Sequence, residues 1–418
     1  MRRTLATIAV LGLLLAACGD NGDTVDDAPA DDDAAVDDDA AVDTDTDTDD
    51  APAADGEPIV IGSVADLSGP TGDVGTPYSE GVRGYTEWRN ANGGIEGRPI
   101  ELLWEDYQYD VAIAEQLYTD FIAQGAVAIQ GWGTADTEAL RGRVNSDEIP
   151  YISASYSEGM TDPDETPYNF IVATSYSDQL RIALAWIAEQ DPGAEVAVFH
   201  NDSPFGTSPL ADGEAYIEEQ GLDLGFQSVA MVGGAVDYVA ELSRAQSDGV
   251  SYIVVQNVES PAALLASDII EQGADIQLVL LNWAGGELFI DLADDAAEGA
   301  IAVQPWAPVA SNAPGQADAR EFLESQGNEL TSLHYTQGWY KMALLADAIE
   351  SLIVAGEDVT GPGIRAELDS IENFDTGGVS LPMTLTPRED GRRTGMVCSP
   401  LWVVDGAEWT ELEAEYCP

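Results

Sequence analysis

From residue 58 onward, hydrophobic positions recur in two rhythms that take turns along the chain. Short unbroken apolar runs occupy residues 59–65, 126–130, 196–200, 252–255, 277–281 and 300–304, most of them rich in Val and Ile. Runs that do not alternate with polar residues suit parallel strands covered on both faces. Between them, apolar positions return every three or four residues over 78–92, 111–124, 135–145, 177–190, 208–220, 235–246, 261–272 and 335–354. That spacing predicts helices. Strands and helices in succession make βαβ units, so the fold class is α/β with doubly wound parallel sheets. About 360 residues exceed one core of ordinary size, and two lobes follow. From about Val379 the pattern turns to hairpins.

The first residues obey neither rhythm. Met1, Arg2 and Arg3 precede an apolar run over residues 5–17, and Cys18 follows Leu15-Ala16-Ala17. The run is shorter than the roughly 20 residues of a spanning helix and suits a signal peptide, residues 1–17. Small residues before Cys18 resemble a bacterial lipoprotein cleavage box, in which the thiol carries lipid. The plainer alternative is an ordinary signal with an incidental cysteine. Residues 18–57 form an acidic segment with sixteen Asp and no basic residue after the cysteine. It lacks the apolar surface to fold and reads as an extended tether, reaching at most ~130 Å at about 3.3–3.6 Å per residue. This order places the remainder outside the cytoplasm, anchored to a membrane.

Charge narrows the partners. The chain has 77 acidic and 15 basic residues, a net charge of −62, and a single lysine, Lys341. Nucleic acid is excluded as a partner because its phosphates are repelled. Such an excess of carboxylate suits saline surroundings, where salt screens self-repulsion.

Cys398 and Cys417 remain after Cys18. Between them LWVV-DGAE-WTEL reads as a hairpin turning at Asp405-Gly406. Counting outward brings the cysteines nearly opposite each other, so a disulfide is expected, two free thiols being the alternative. The two histidines, His200 and His334, have no cysteine or carboxylate cluster at ligand spacing, and neither a metal nor a cofactor is expected.

In doubly wound sheets ligands sit beyond the carboxyl ends of the strands. The loops there hold Trp132 and Thr134, then Ser155, Tyr156 and Ser157, then Phe205, then Trp283 and Trp306. Thr134 or Asp136 caps the next helix, whose free N–H groups also suit a carboxylate. The aromatics suit an apolar or cationic guest, though each singly also fits core packing. Glu259 is an acidic candidate for a ligand amine, or a solvated loop charge. Gly69–Gly75 lacks dinucleotide-loop spacing and reads as a wide loop at the cleft rim. No nucleophile elbow, phosphate loop or zinc-protease motif occurs, so no catalytic residue is assigned.

The block IVIGSVADLSGPTGDVGTPYSEGVRGYTEWRNANGGIEGRPIELLWED resembles the opening of the branched-chain amino acid-binding family of ABC-transporter solute receptors. Similarity continues through QGWGTADTEALRGRVNSDEIPYISASYS, VAVFHNDSPFGTS and LADDAAEGAIAVQPW, over essentially all of residues 58–404. The resemblance implies the type I periplasmic-binding-protein fold, two hinged lobes joined by three crossovers near Thr174, Trp306 and Val379. Lobe 1 is then 58–174 plus 307–378, and lobe 2 is 175–306 plus 379–418. It implies a monomeric receptor that takes a small amino acid, amide or carboxylate between its lobes and delivers it to an ABC permease. A sensor of the same fold and, more remotely, an α/β hydrolase are the other classes. Family contacts to the ligand carboxylate match Thr134, Ser155 and Ser157, and a family aromatic matches Phe205. The family glutamate that holds the ligand ammonium aligns, with one gap nearby, to Trp283. A leucine-like ligand loses its amine partner there unless Glu259 or another acid substitutes.

Overall fold

The structure, a computed structural model, describes residues 54–418. The signal segment, Cys18 and the tether as far as residue 53 lie outside the described residues. Lobe 1 opens with β1 (Ile59–Ala65), α1 (Gly72–Ala91), β2 (Ile100–Asp106), α2 (Val111–Ala123), β3 (Ala128–Gly131), α3 (Thr134–Asp147), β4 (Tyr151–Ser153) and β5 (Asn169–Phe170). Its strands are all parallel, in the order β2-β1-β3-β4-β5.

The chain then enters lobe 2 through α4 (Tyr176–Gln190), β6 (Ala194–Asn201), α5 (Pro204–Thr207), α6 (Leu210–Gln220), β7 (Leu224–Met231), α7 (Val239–Ser247), β8 (Val250–Gln256), α8 (Glu259–Glu271), β9 (Gln277–Leu281), α9 (Glu287–Ala293) and β10 (Ile301–Val303). It returns to lobe 1 for α10 (Ala317–Ser325), α11 (Leu333–Ala355) and α12 (Gly361–Ser370), and ends in lobe 2 with β11 (Ser399–Asp405) and β12 (Glu408–Tyr416). The second sheet runs β12-β11-β10-β9-β8-β6-β7, with β11 and β12 antiparallel. Cys398 and Cys417 are joined at the open end of this hairpin.

Local chemistry starts the helices. Asp110 accepts from the backbone N–H of Ala112 and Ile113 at the head of α2, Ser175 from Asp178 at α4, Ser332 from His334 at α11, and Thr360 from Gly363 at α12. Each satisfies an otherwise orphaned donor. In lobe 1, α1 and α11 touch backbone to backbone: a Cβ on Gly81 would lie 1.9 Å from Tyr335 O, and one on Gly338 2.0 Å from Tyr78 O. Two apolar clusters cover the faces of the lobe 2 sheet. The lobe 1 core continues across the seam and takes in Phe205, Val258 and Trp283 of lobe 2.

Three stretches depart from the sequence reading. The Gly69–Gly75 segment is a wide loop only at its start, because Gly72 already begins α1. Asp66 makes this possible: its carboxylate accepts from the N–H of Gly69 (2.6 Å) and Thr71 (2.8 Å), folding the loop tightly onto β1. The half-exposed edge strand β7 escaped notice because its apolar content is diluted. The last crossing lies at 396–399 rather than near Val379. Val379, Met383, Leu385 and Met396 fill the lobe 1 core, and Arg393 ties this segment there. The fully buried Arg393 guanidinium donates to Asp369 Oδ1 (2.6 Å) and to the carbonyls of Thr166 (2.8 Å) and Asn169 (2.7 Å).

At the hinge the crossing segments pair with one another. Thr174 bridges Met396, and Trp306 bridges Ser380. Arg392 clamps the two lobes by donating to Glu158 (2.9 Å) and to Asp178 in α4 (2.8 Å).

Candidate ligand-binding seam

The carboxyl ends of both sheets meet at the seam. On the lobe 1 side, β3 ends at Gly131 and delivers Trp132 into the gap, while Thr134 opens α3. The Trp132 indole donates to Thr71 Oγ1 (2.9 Å), which in turn donates to the buried Asp66 carboxylate (2.8 Å). Thr134 Oγ1 and Ser155 Oγ lie 2.7 Å apart, and Ser155 N–H donates to Ser153 Oγ (2.9 Å). Behind Thr134, burial pushes the Asp136 carboxyl up to about 7, against the hydrogen bond from the Tyr107 hydroxyl (2.9 Å).

On the lobe 2 side, Trp283 follows β9 and reaches into lobe 1. Its ring centroid lies 5.0 Å from Trp132, 5.9 Å from Tyr156 and 5.1 Å from His334, stacking on the last two. Its indole N–H donates to the Tyr176 hydroxyl (2.9 Å). Tyr176 is inclined at 59° to Phe205, with 5.4 Å between centroids. Two polar contacts hold the closure. Asp73 of α1 accepts from Ser260 N–H of α8 (3.0 Å). Glu287 of α9 accepts from Val309 N–H (2.7 Å) and from Leu333 N–H at the head of α11 (2.8 Å).

Between these walls lies a cavity of about 20 Å³, lined by Thr71, Val74, Tyr109, Trp132, Gly133, Thr134, Ala154, Tyr176, Phe205, Val258 and Trp283. That is room for about one water. A guest of amino-acid size therefore enters only if the lobes part or the rings turn. A wider groove of about 340 Å³ lies at the rim, between Gly69–Asp73 and the 231–235 and 257–264 stretches of lobe 2.

Of the eight residues singled out from the sequence, Trp132, Thr134, Phe205 and Trp283 line the cavity. Tyr156 backs Trp283, and Ser155 holds the Thr134 hydroxyl. Ser157 lies one step out, at the head of a short 3-10 turn. Glu259 is neither a solvated loop charge nor part of the lining. It is the first residue of α8, 1% exposed, and its Oε1 lies 3.4 Å from Phe289 N. Burial, then repulsion from Glu287 and Asp73, raises its carboxyl well above the ordinary range. Trp306 is fully buried at the second crossing and takes no part in the lining.

The residues missed are Thr71, Val74, Tyr109, Tyr176 and Val258 in the lining, and Tyr78, His334 and Gln337 behind it. Tyr78 stands 5.0 Å from Trp132. Gln337 Nε2 donates to the Tyr156 hydroxyl (2.6 Å), so its Oε1 accepts from the Nδ1–H of His334 (2.9 Å). Tyr109 and Val258 follow strands β2 and β8, so the strand-end rule would have found them. Among the described residues the grouped potential metal ligands are Cys398, Glu415 and Cys417, two of which are bonded to each other.

A hinged pair of α/β lobes with facing strand tips and an aromatic seam is the architecture of a small-molecule receptor. The sequence profile of the family described as "Periplasmic binding protein" matches residues 58–406. The chain belongs to the periplasmic binding protein family. Within it, the chain is similar to a branched chain amino acid ABC transporter from Thermus thermophilus, solved with bound valine. The two are 25% identical with a TM-score of 0.82, over 87% of this chain and 97% of that one. A fatty acid ABC transporter substrate-binding protein from Thermomonospora curvata shares the fold, with 20% identity and a TM-score of 0.78 over 87% of this chain and 93% of its own. The leucine-, isoleucine-, valine-, threonine- and alanine-binding protein of Pseudomonas aeruginosa is 20% identical over 74% of this periplasmic binding protein and 82% of its own length.

Proposed function

We propose that this protein is an extracytoplasmic receptor of an ABC importer, which encloses a small amino acid-like, amide or carboxylate ligand between its lobes and hands it to a permease. The observation that carries this reading is the seam itself. Trp132 and Thr134 come from one lobe, Phe205 and Trp283 from the other, and all four line one cavity at the strand tips. Such a site forms only when the lobes are together, so occupancy and closure are coupled. The ligand differs among relatives of this fold, valine in one and fatty acid in another by their names, so the lining must decide it. The work of the site is selection, by shape and by a few oriented polar groups. Thr134, Ser155 and the head of α3 are the proposed partners of a carboxylate.

A thermal-shift screen of the purified body over amino acids, amides, urea and aromatic acids tests the reading. A hit raises the midpoint in a dose-dependent way. Small-angle scattering with that hit should show contraction relative to the free protein. Silence across the screen, or an unchanged scattering envelope, counts against it. Anchoring through Cys18 belongs to the same reading. Cys18→Ser should move the protein from the membrane fraction to the soluble fraction.

A further inference from the structure

We infer that the seam selects a quaternary ammonium group, held by ring faces rather than by a carboxylate. The inference rests on the receptor reading above and deepens it by naming the ligand class.

The first observation is what the lining lacks. Among the described residues that line the cavity, none is charged. Glu259, the acid offered as a substitute for the family glutamate, is not part of the lining. Its carboxyl packs on Gly286, where a Cβ would come 2.2 Å from Oε1, and it faces His334, on which Trp283 stacks. The second observation is that four polar side chains of the lining already bond to protein neighbours. The Trp132 indole is bonded to Thr71, Thr71 to Asp66, Thr134 to Ser155, and the Trp283 indole to Tyr176. A primary ammonium would bring three N–H donors and a charge into a lining that holds no carboxylate to pair with them. A quaternary nitrogen has no N–H to satisfy.

The third observation is the geometry of the rings. Trp132 and Trp283 are tilted 59° to each other at 5.0 Å, Tyr78 and Trp132 are tilted 59° at 5.0 Å, and Tyr176 and Phe205 are tilted 59° at 5.4 Å. These three pairs are inclined and leave ring faces turned toward the cavity, while Trp283 is backed by stacking on Tyr156 and His334. Aromatic faces are negative, and attract a cation by their quadrupole. Behind the cage, Lys341 Nζ lies 5.2 Å from the Tyr78 ring. Burial lowers its amine well below the usual range, which works against a second charge there. The acidic excess of the whole chain, −62, further enriches cations over anions near the cleft. In the closed form the cage has collapsed to about 20 Å³, so the Asp73–Ser260 contact must open to admit a trimethylammonium group.

Calorimetry with glycine betaine and choline tests this against their tert-butyl isosteres, in which carbon replaces the quaternary nitrogen, and against valine and benzoate. The inference expects a quaternary compound to bind roughly tenfold or more tightly than its isostere, a margin that shape alone does not give. Trp283→Leu should lose that margin, whereas Trp283→Phe, which keeps a ring face, should retain much of it. Circular dichroism and melting confirm that both variants fold. An isostere that binds as tightly as its cation overturns the inference, as does Trp283→Leu with an unchanged margin. Valine or benzoate binding while both quaternary compounds stay silent overturns it too, and leaves the receptor reading standing. Silence across these probes and the wider amino acid, amide and acid screen removes both.

Discussion

Glu259 of lobe 2 and His334 of lobe 1 face each other across the seam, with Oε2 3.8 Å from Nε2 and both side chains almost fully buried. Burial works against their pairing as ions. Burial raises the Glu259 carboxyl, helped by repulsion from Glu287 and Asp73, and pushes the His334 imidazole down to about 4. Burial thus works against the charged form of both partners. Each group has its own sign. The raised Glu259 binds more protons folded than unfolded, so its contribution falls as pH rises above its ordinary value of 4.5. The lowered His334 binds fewer protons folded, so its contribution falls as pH drops below its ordinary value of 6.5. Between these values the two slopes cancel. Above 6.5 only the Glu259 slope remains, at up to about 1.4 kcal/mol per pH unit. Glu259→Gln should flatten the decline of melting temperature above about pH 6.5 relative to the parent. Parallel curves would show that Glu259 does not carry it.

Thr134 and Ser157 were paired by sequence, but the structure separates them. Thr134 lines the cavity and Ser157 does not. Thr134→Ala removes a hydroxyl from the lining and its bond to Ser155, so affinity for the receptor's ligand should drop by about 1 kcal/mol, or roughly fivefold. Ser157→Ala should have the smaller effect. Titration calorimetry on the two variants decides the order, and a larger loss at Ser157 reverses the assignment.

The contact of α1 with α11 leaves no space for a methyl group. Gly338→Ala would set a Cβ 2.0 Å from the Tyr78 carbonyl oxygen, and backbone cannot yield as a flexible side chain does. A loss of about 3 kcal/mol is expected in denaturant unfolding, at the upper end of overpacking costs. Because Tyr78 also touches Trp132 and Trp283, the same change should weaken ligand binding.

The Cys398–Cys417 bond closes a hairpin with a sequence separation of 19. The chain-entropy account gives about 3 kcal/mol for a loop of this size. Cys398→Ser together with Cys417→Ser should lower global stability by that order, read by denaturant unfolding. Equal stability of the parent in reducing and oxidising buffer would argue against it.

The strands at 59–65, 196–200, 252–255 and 277–281 were legible because each is a dense apolar run, and a run buried on both faces has no polar positions to blur it. Trp132, Thr134, Phe205 and Trp283 were legible for a related reason: in this topology, the residue after a strand faces the cleft. Tyr78, Tyr176, His334 and Gln337 were not. They sit on helices, where facing the cleft depends on how α1, α4 and α11 pack, and no local pattern reports that. The third crossing was misplaced because residues 379–396 are held on lobe 1 by long-range contacts, the lobe 1 core and Arg393, which reaches carbonyls more than two hundred residues upstream. The buried state of Glu259 was hidden likewise, since an acid after a strand looks the same whether it meets water or the opposite lobe.

The last strand, β12, forms one border of the seven-stranded sheet, and Glu408, Glu411, Glu413 and Glu415 stand exposed along it. An unpaired border offers its amides and carbonyls to any other chain's border. Two such rows of glutamate brought side by side repel, so neighbouring molecules are kept from zipping their sheets together however densely they crowd.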